Sequence, residues 1–407
     1  MDTLLYIYLF TASWNSAFAY ERFNLPMLFA VSYVLSSFFN NQINFNIKII
    51  KYVILPFLIA IFYYNFISLM NPHPNVYNYI LAYSLVPLFL CYGPISIKVA
   101  KKFNKIEKYF FGGLLFIALV CIFESIIRLY FGFDITSLVP QLKSNFAFSF
   151  TNSEKILNRS RGFSTEPMIA GLFLSVGFQY SLINIKNIIL DKISISSKLS
   201  NYLIMACLFL FAIITTGSAS AFFISLIGSF FIIFELIYFS LKGFRERKLN
   251  KKLMSFIIYF VIIIIFSFFI FEIIPAYKTG LENIIGKIFL NKEFASVSAR
   301  LEVTNQYLKQ FLNDPIGFTG SPGSMSRFGS AINWYLTLLG DMGLLGSLFT
   351  LIPILLCALI AITSSYNNSF SKYDKLILIL IPVLGLFFHG TFYSSPLWAT
   401  IIVTFYL

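Results

Sequence analysis

The chain has 407 residues, 58% of them hydrophobic and 12% charged, and its net charge is +13. A soluble domain usually carries about 25% charged residues, so this chain has too little charge to cover a water-exposed surface, and a soluble globular protein is excluded. The surplus of Lys and Arg would point to nucleic acid in a soluble protein, but here it is spread over short links between apolar runs. Membrane proteins set their orientation with that pattern, and a nucleic-acid partner is set aside with the soluble fold.

A spanning helix needs roughly 20 apolar residues, and the hydropathy pattern predicts about 12 such helices, within a range of about 10–13. The runs cover about 3–20, 24–40, 50–69, 76–92, 109–131, 167–185, 201–216, 219–240, 254–275, 333–363, 375–389 and 394–407. The expectation is an all-α, polytopic integral membrane protein with one transmembrane domain over 1–407. The first run has no basic segment ahead of it and leads into further spans, so a retained helix is expected. The run at 333–363 is long enough for a lip helix followed by a span.

Orientation follows from Lys and Arg in the links. With the N-terminus inside, the inner links hold Lys48 and Lys51; Lys98, Lys101, Lys102, Lys105 and Lys108; Lys186, Lys192 and Lys198; Lys242, Arg245, Arg247, Lys248, Lys251 and Lys252; and Lys372 and Lys375. The short outer links near 71–75, 217–218 and 390–393 hold none. Both termini then lie inside, and two large loops, about 132–166 and 276–332, lie outside. Ordered loops of that length are usually functional. No internal repeat of the kind common in transporters is present.

Along the chain, His73 lies in a short outer link, and Glu124 and Arg128 stand four residues apart on one helix face, where they can pair. Ionisable groups at that depth are functional candidates by default. The first large loop ends in RGFSTEP, Arg161 to Pro167, with Arg159 two residues earlier. Arginine stays charged and offers a planar fork of donors that fits phosphate oxygens. Pro167 is a favoured first helical residue, which places Glu166 at a helix mouth, where the dipole stabilises a carboxylate.

In the second loop Leu301, Thr304, Leu308, Phe311 and Leu312 repeat at helical spacing. They predict an amphipathic helix on the outer membrane surface, ended by Asp314 and Pro315. A glycine-rich turn follows from Gly317 to Gly329, including Gly320 and Gly323. Successive N–H groups in such a turn can hold an anion. Arg300 precedes the helix and Arg327 follows within the turn, so Arg159, Arg161, Arg300 and Arg327 could form a basic cup on the outer face. The second histidine, His389, falls at the outer end of the eleventh run. Cys91, Cys121, Cys207 and Cys357 lie in or beside apolar runs as small buried residues. No cluster with metal-ligand spacing, nucleotide loop or Ser/His/Asp set stands out, so neither a metal nor another cofactor is expected.

Three stretches resemble a known family. RGFSTEPMIAGLFLSVG from Arg161, SARLEVTNQYLKQFLNDPIGFTGSPG from Ser298 and NWYLTLLGDMGLLGSLF from Asn333 are similar to segments of bacterial O-antigen and exopolysaccharide polymerases of the Wzy type. The resemblance covers roughly 150–350 at motif level and the rest as hydropathy. It implies a GT-C-like fold in the bacterial inner membrane, with both large loops in the periplasm. It implies inverting, metal-independent glycosyl transfer between oligosaccharide units carried on undecaprenyl pyrophosphate. Membrane lipid is the surrounding partner, and a chain-length regulator and a flippase are the implied protein partners. Carried onto this sequence, Arg161 and Arg300 stabilise the leaving pyrophosphate, with Arg159 and Arg327 assisting. Glu166 is the candidate base. Asn333, Tyr335, Arg128, Glu124, Gly320 and Gly323 are candidate substrate or pyrophosphate contacts, with His389 and His73 as further candidates.

Ligases of the same superfamily carry His directly before the Asn, where this chain has Ile332; the departure argues against a ligase, although His389 could substitute. The family often has Ser-Arg after the seventh span. Here the stretch is TTGSASA, with Ala219 in place of that Arg and Arg128 as the candidate replacement. The competing readings are a ligase and a lipid-linked oligosaccharide flippase or other transporter. A transporter should line its mid-span interior with charge, and the sequence there is almost bare.

Overall fold

In a computed structural model the apolar runs form helices. The structure describes residues 2–15, 24–39, 45–97, 103–131, 160–190 apart from 165, 199–242, 256–263, 295–326, 333–364, 370–388 and 396–407, with isolated positions between 254 and 285. Every regular element among them is helical. In chain order these are α1 (Asp2–Thr11), α2 (Leu25–Phe39), α3 (Ile47–Met70), α4 (Val76–Ser96), α5 (Phe103–Phe131), α6 (Pro167–Ile189) and α7 (Leu199–Thr215), followed by α8 (Ala219–Lys242), α9 (Ala295–Asn313), α10 (Trp334–Thr363), α11 (Lys372–Gly385) and α12 (Leu397–Tyr406).

Six of them (α3, α4, α5, α6, α8 and α10) are long and apolar enough to cross a membrane, and the chain is a multi-pass membrane protein. The helices α2, α7 and α12 are apolar but shorter, so of the expected dozen spans six are long enough among the described residues. Most of the run at 254–275 lies outside them.

Local chemistry sets the helix ends. Ser371 and Asp374 form a reciprocal capping box at the start of α11. Asn333 caps α10 by accepting from the N–H groups of Tyr335 (2.9 Å) and Leu336 (3.3 Å). Pro167 occupies the first turn of α6 behind Glu166. The long run at 333–363 divides at Gly343, whose φ of 60° and ψ of −162° are not helical. The part beyond it, 344–363, still reaches across a hydrocarbon core of ~30 Å at about 1.5 Å per residue.

Contacts sort the helix ends into two groups. At one end Ser164 Oγ donates to Ser13 O (2.9 Å), Ser160 N to Thr215 O (3.1 Å) and Asn71 Nδ2 to Phe318 O (2.7 Å). At the other, Asn46 N donates to Ser96 O (2.8 Å), Tyr406 OH to Ile97 O (3.3 Å) and Ser364 Oγ to Phe405 O (2.6 Å). The first group adjoins both long loops and is called the loop end. The second holds residues of the Lys-bearing links, so the described helices alternate in direction as the charge pattern requires.

The hub is α6, whose apolar span is 94% buried, as expected of a helix apolar all round. It faces α8 through small polar residues that let the backbones approach. Ser175 Oγ donates to Ala221 O (3.1 Å), Ser225 Oγ to Ser175 Oγ (2.8 Å) and Gln179 Nε2 to Ser225 O (2.7 Å). By contrast α3 turns Leu55, Leu58, Phe62, Phe66 and Leu69 outward, the surface a bilayer covers.

At the end opposite the loops Lys186, expected as an orienting charge of an inner link, instead lies fully buried in the last turns of α6. Its Nζ pairs with Glu235 of α8 (2.6 Å) and with Asp374 of α11. The interior is therefore not bare of charge, although these charges sit near one end of their helices rather than at mid-span. Removing one member of a buried ion cluster leaves its partners uncompensated. Lys186→Met is expected to destabilise by about 3–5 kcal/mol, read as thermal unfolding in detergent. Adding Glu235→Gln and Asp374→Asn should restore most of the loss. An unchanged melting temperature for Lys186→Met alone would contradict this account.

Candidate functional site at the loop end

The RGFSTEP segment is held from below by a carboxylate. Glu124, fully buried near the end of α5, receives the backbone N–H groups of Arg161 (2.9 Å) and Gly162 (2.7 Å) on Oε2. Its Oε1 takes the Arg128 guanidinium at 2.6 Å. Gly162 itself adopts φ +55°, a left-handed conformation that costs little without a Cβ. The expected Glu124–Arg128 pair is thus one half of a larger arrangement that fixes the loop.

Around it Ser160 Oγ donates to Thr215 Oγ1 (3.1 Å), and the Phe163 ring lies 5.1 Å from that of Trp14. The segment is pinned on three sides, by α5, by the residues after α1 and by the end of α7. Arg161 and Glu166 are half-buried at this rim. Glu166 also starts α6, its carbonyl accepting from Ile169 N (3.1 Å) and Ala170 N (3.2 Å). Ala219, at the head of α8, is close by in the fold, since Thr216, Ser218 and Ala221 face Gly171 of α6.

The second loop is built on α9, the helix expected from Leu301, Thr304, Leu308, Phe311 and Leu312. Leu308 and Leu312 remain 43% and 64% exposed, and the residue that packs inward is Tyr307, against Gly340 of α10. The helix ends at Asn313, and Asp314 takes over. It receives Gly317 N (3.0 Å), Thr319 N (2.5 Å) and Thr319 Oγ1 (2.6 Å). Partial desolvation raises this carboxyl, but the hydrogen bonds from Thr319 and the nearby backbone outweigh it and hold it below the usual carboxylate value.

The glycine-rich turn then folds over the link between α3 and α4. Asn71 Nδ2 donates to Gly320 O (3.1 Å), Ser321 Oγ to Asn71 O (2.9 Å), and His73 Nε2 lies 2.9 Å from Pro322 O. The His73 Nδ1 accepts from Asn75 N (3.3 Å), so Nε2 carries the proton that Pro322 receives. The N–H groups of Gly323 and Met325 point inward to Asp341 of α10, a residue that sequence reasoning missed. A lone carboxylate inside an apolar run was the available signal.

The predicted residues thus fall into three groups. Arg161, Glu124, Arg128 and Glu166 come together around the first loop. Gly320, Gly323 and His73 come together in the second loop's turn. Asn333 and Tyr335 form the head of α10, where Asn333 is the cap and Tyr335 OH donates to Val383 O (3.1 Å). The first and third groups are linked only indirectly, through the end of α11. Leu172, in the second turn of α6, fills the space at Gly385, and the next carbonyl, Leu386 O, accepts from Trp334 N (2.9 Å). Arg159, Arg327, His389 and the Arg300 side chain lie outside the described residues, and the backbone of Arg300 lies in α9.

No family model matches the chain, and no curated protein is significantly similar to it.

If Glu124 holds the first loop, its loss should cost more than the loss of Arg128, because a buried group bonded to two amides is harder to replace than a half-buried partner. Glu124→Ala is expected to destabilise by about 3 kcal/mol and Arg128→Leu by clearly less, both read as thermal unfolding in detergent. Equal losses would show that the ion pair, and not the loop clamp, is what matters.

Proposed function

We propose that the chain is a polysaccharide polymerase. In this reading it joins oligosaccharide repeat units carried on undecaprenyl pyrophosphate at the periplasmic face of the bacterial inner membrane, with both termini cytoplasmic. The observation that carries the reading is that Glu124 clamps the Arg161 segment at one end of a membrane-spanning bundle, the same end at which the glycine-rich turn and the head of α10 lie. Arginine, which the sequence places in both long loops, suits a ligand with a pyrophosphate at the membrane boundary and a sugar chain in water.

In this mechanism a hydroxyl of the terminal sugar on the incoming unit attacks the anomeric carbon that links the growing chain to pyrophosphate. The new glycosidic bond forms as the anomeric C–O bond to phosphate breaks, and the configuration inverts. Undecaprenyl pyrophosphate leaves with the electron pair, and Arg161 and Arg300 stabilise its developing charge. Glu166 accepts the hydroxyl proton. Pinning the Arg161 backbone on Glu124 supports this role, because a donor fixed before the reaction needs no reorganisation during it.

The test is the surface glycan ladder of a deletion strain complemented with parent, Arg161→Ala or Arg300→Ala. Each variant should accumulate in the membrane at the parental level yet lose polymer beyond a single repeat unit, a drop of about a hundredfold or more. A full ladder from both variants would overturn the site. Polymer that accumulates on its lipid carrier but never reaches its final acceptor would identify a ligase instead.

A further inference from the structure

We propose that Asp341 is a positioning residue for the second loop, its carboxylate filling the anion nest of the glycine-rich turn from inside the protein. Asp341 is buried at 1% exposure. Its Oδ1 accepts Met325 N at 2.8 Å, and its Oδ2 accepts Gly323 N at 3.1 Å. Ser324 Oγ lies 3.4 Å from both Oδ1 and the Asp341 carbonyl. Backbone donors that converge in this way form a site for an anion, and here that anion is a side chain of α10.

Gly323 is required at the centre. Its φ is +79°, and a Cβ there would collide with the ring of Tyr79 on α4. Asp341 thus presses the turn between α10 and α4, while His73 and Asn71 hold its upper side. Met325 packs with Tyr307 of α9, so one carboxylate sets the turn and, through it, the helix that carries Arg300.

Two consequences follow. The amides of Gly323 and Met325 do not serve as the pyrophosphate cradle, because a pyrophosphate would have to displace a buried carboxylate already bonded to them. Asp341 acts through the loop and not on the reacting atoms. Its catalytic effect rests on the polymerase reading, whereas its hold on the turn does not.

The experiment uses the full chain in detergent with Cys207→Ser and a reporter, Ser326→Cys, at the end of the turn. Reaction with a polar maleimide reads how often the turn opens. Asp341→Asn should raise the labelling rate about tenfold, the factor expected when charge-assisted hydrogen bonds weaken, and Asp341→Glu should recover part of the protection. In cells the same Asn variant should lose the long glycan chains at parental protein level. Faster labelling with an unchanged ladder would uphold the positioning and overturn the polymerase role of this loop. An unchanged labelling rate would overturn the proposal whatever the ladder shows. If Asp341→Asn does not accumulate, Ser324→Ala supplies the test, with a rise of about two- to threefold expected and parental labelling counting against the proposal.

Discussion

A carboxylate buried among membrane helices has to be met by donors, because no water is there to replace them. At the loop end of this protein two such carboxylates are met by loop backbone and not only by side chains. Glu124 takes the amides of Arg161 and Gly162, and Asp341 takes those of Gly323 and Met325. In both places the segment that supplies the amides contains a glycine with positive φ. The same device holds both long loops on the bundle, although the loops come from opposite halves of the chain.

The opposite end solves the same problem differently. Lys186 draws Glu235 and Asp374, from two other helices, into one buried ion cluster, and Asp374 also closes the capping box with Ser371. That cluster ties α6, α8 and α11 together, and at their other ends α6 starts from the Arg161–Glu166 segment while α11 receives the Trp334 N–H of the α10 head. The bundle is therefore fixed by side-chain ions at one end, while the other end presents polar loops held by buried anchors.

Much of this architecture was legible in the sequence. The apolar runs predicted the helices, because lipid demands length and hydropathy above all. Lys and Arg in the links predicted the alternation of direction. The Glu124–Arg128 pair followed from a spacing of four, and the amphipathic helix followed from its period and from the Asp314–Pro315 stop. The pairings over long sequence distances could not be read. Nothing local links Asp341 to Gly323 or Lys186 to Asp374, and Lys186 looked like another orienting lysine because it stands beside a link. The same limit applied to the glycine-rich turn, where the sequence indicated an anion nest but not that a residue of the next helix occupies it. Asn333 and Tyr335 likewise matched a motif, and their observed contacts are a helix cap and a tie to α11. The face of α9 that packs inward, marked by Tyr307, also departs from the apolar stripe, because α10 offers Gly340 as a seat for a large ring.

The central claim, glycosyl transfer between lipid-pyrophosphate-linked units, is tested most directly by reconstitution. The purified protein in liposomes would be supplied with one undecaprenyl-pyrophosphate-linked repeat unit in the presence of a divalent-metal chelator, and the products separated by length. The account predicts a ladder of lipid-linked oligomers, release of undecaprenyl pyrophosphate at each step, and inverted anomeric configuration at every new bond. A repeat unit that stays single, or that only crosses the bilayer unchanged, would contradict it.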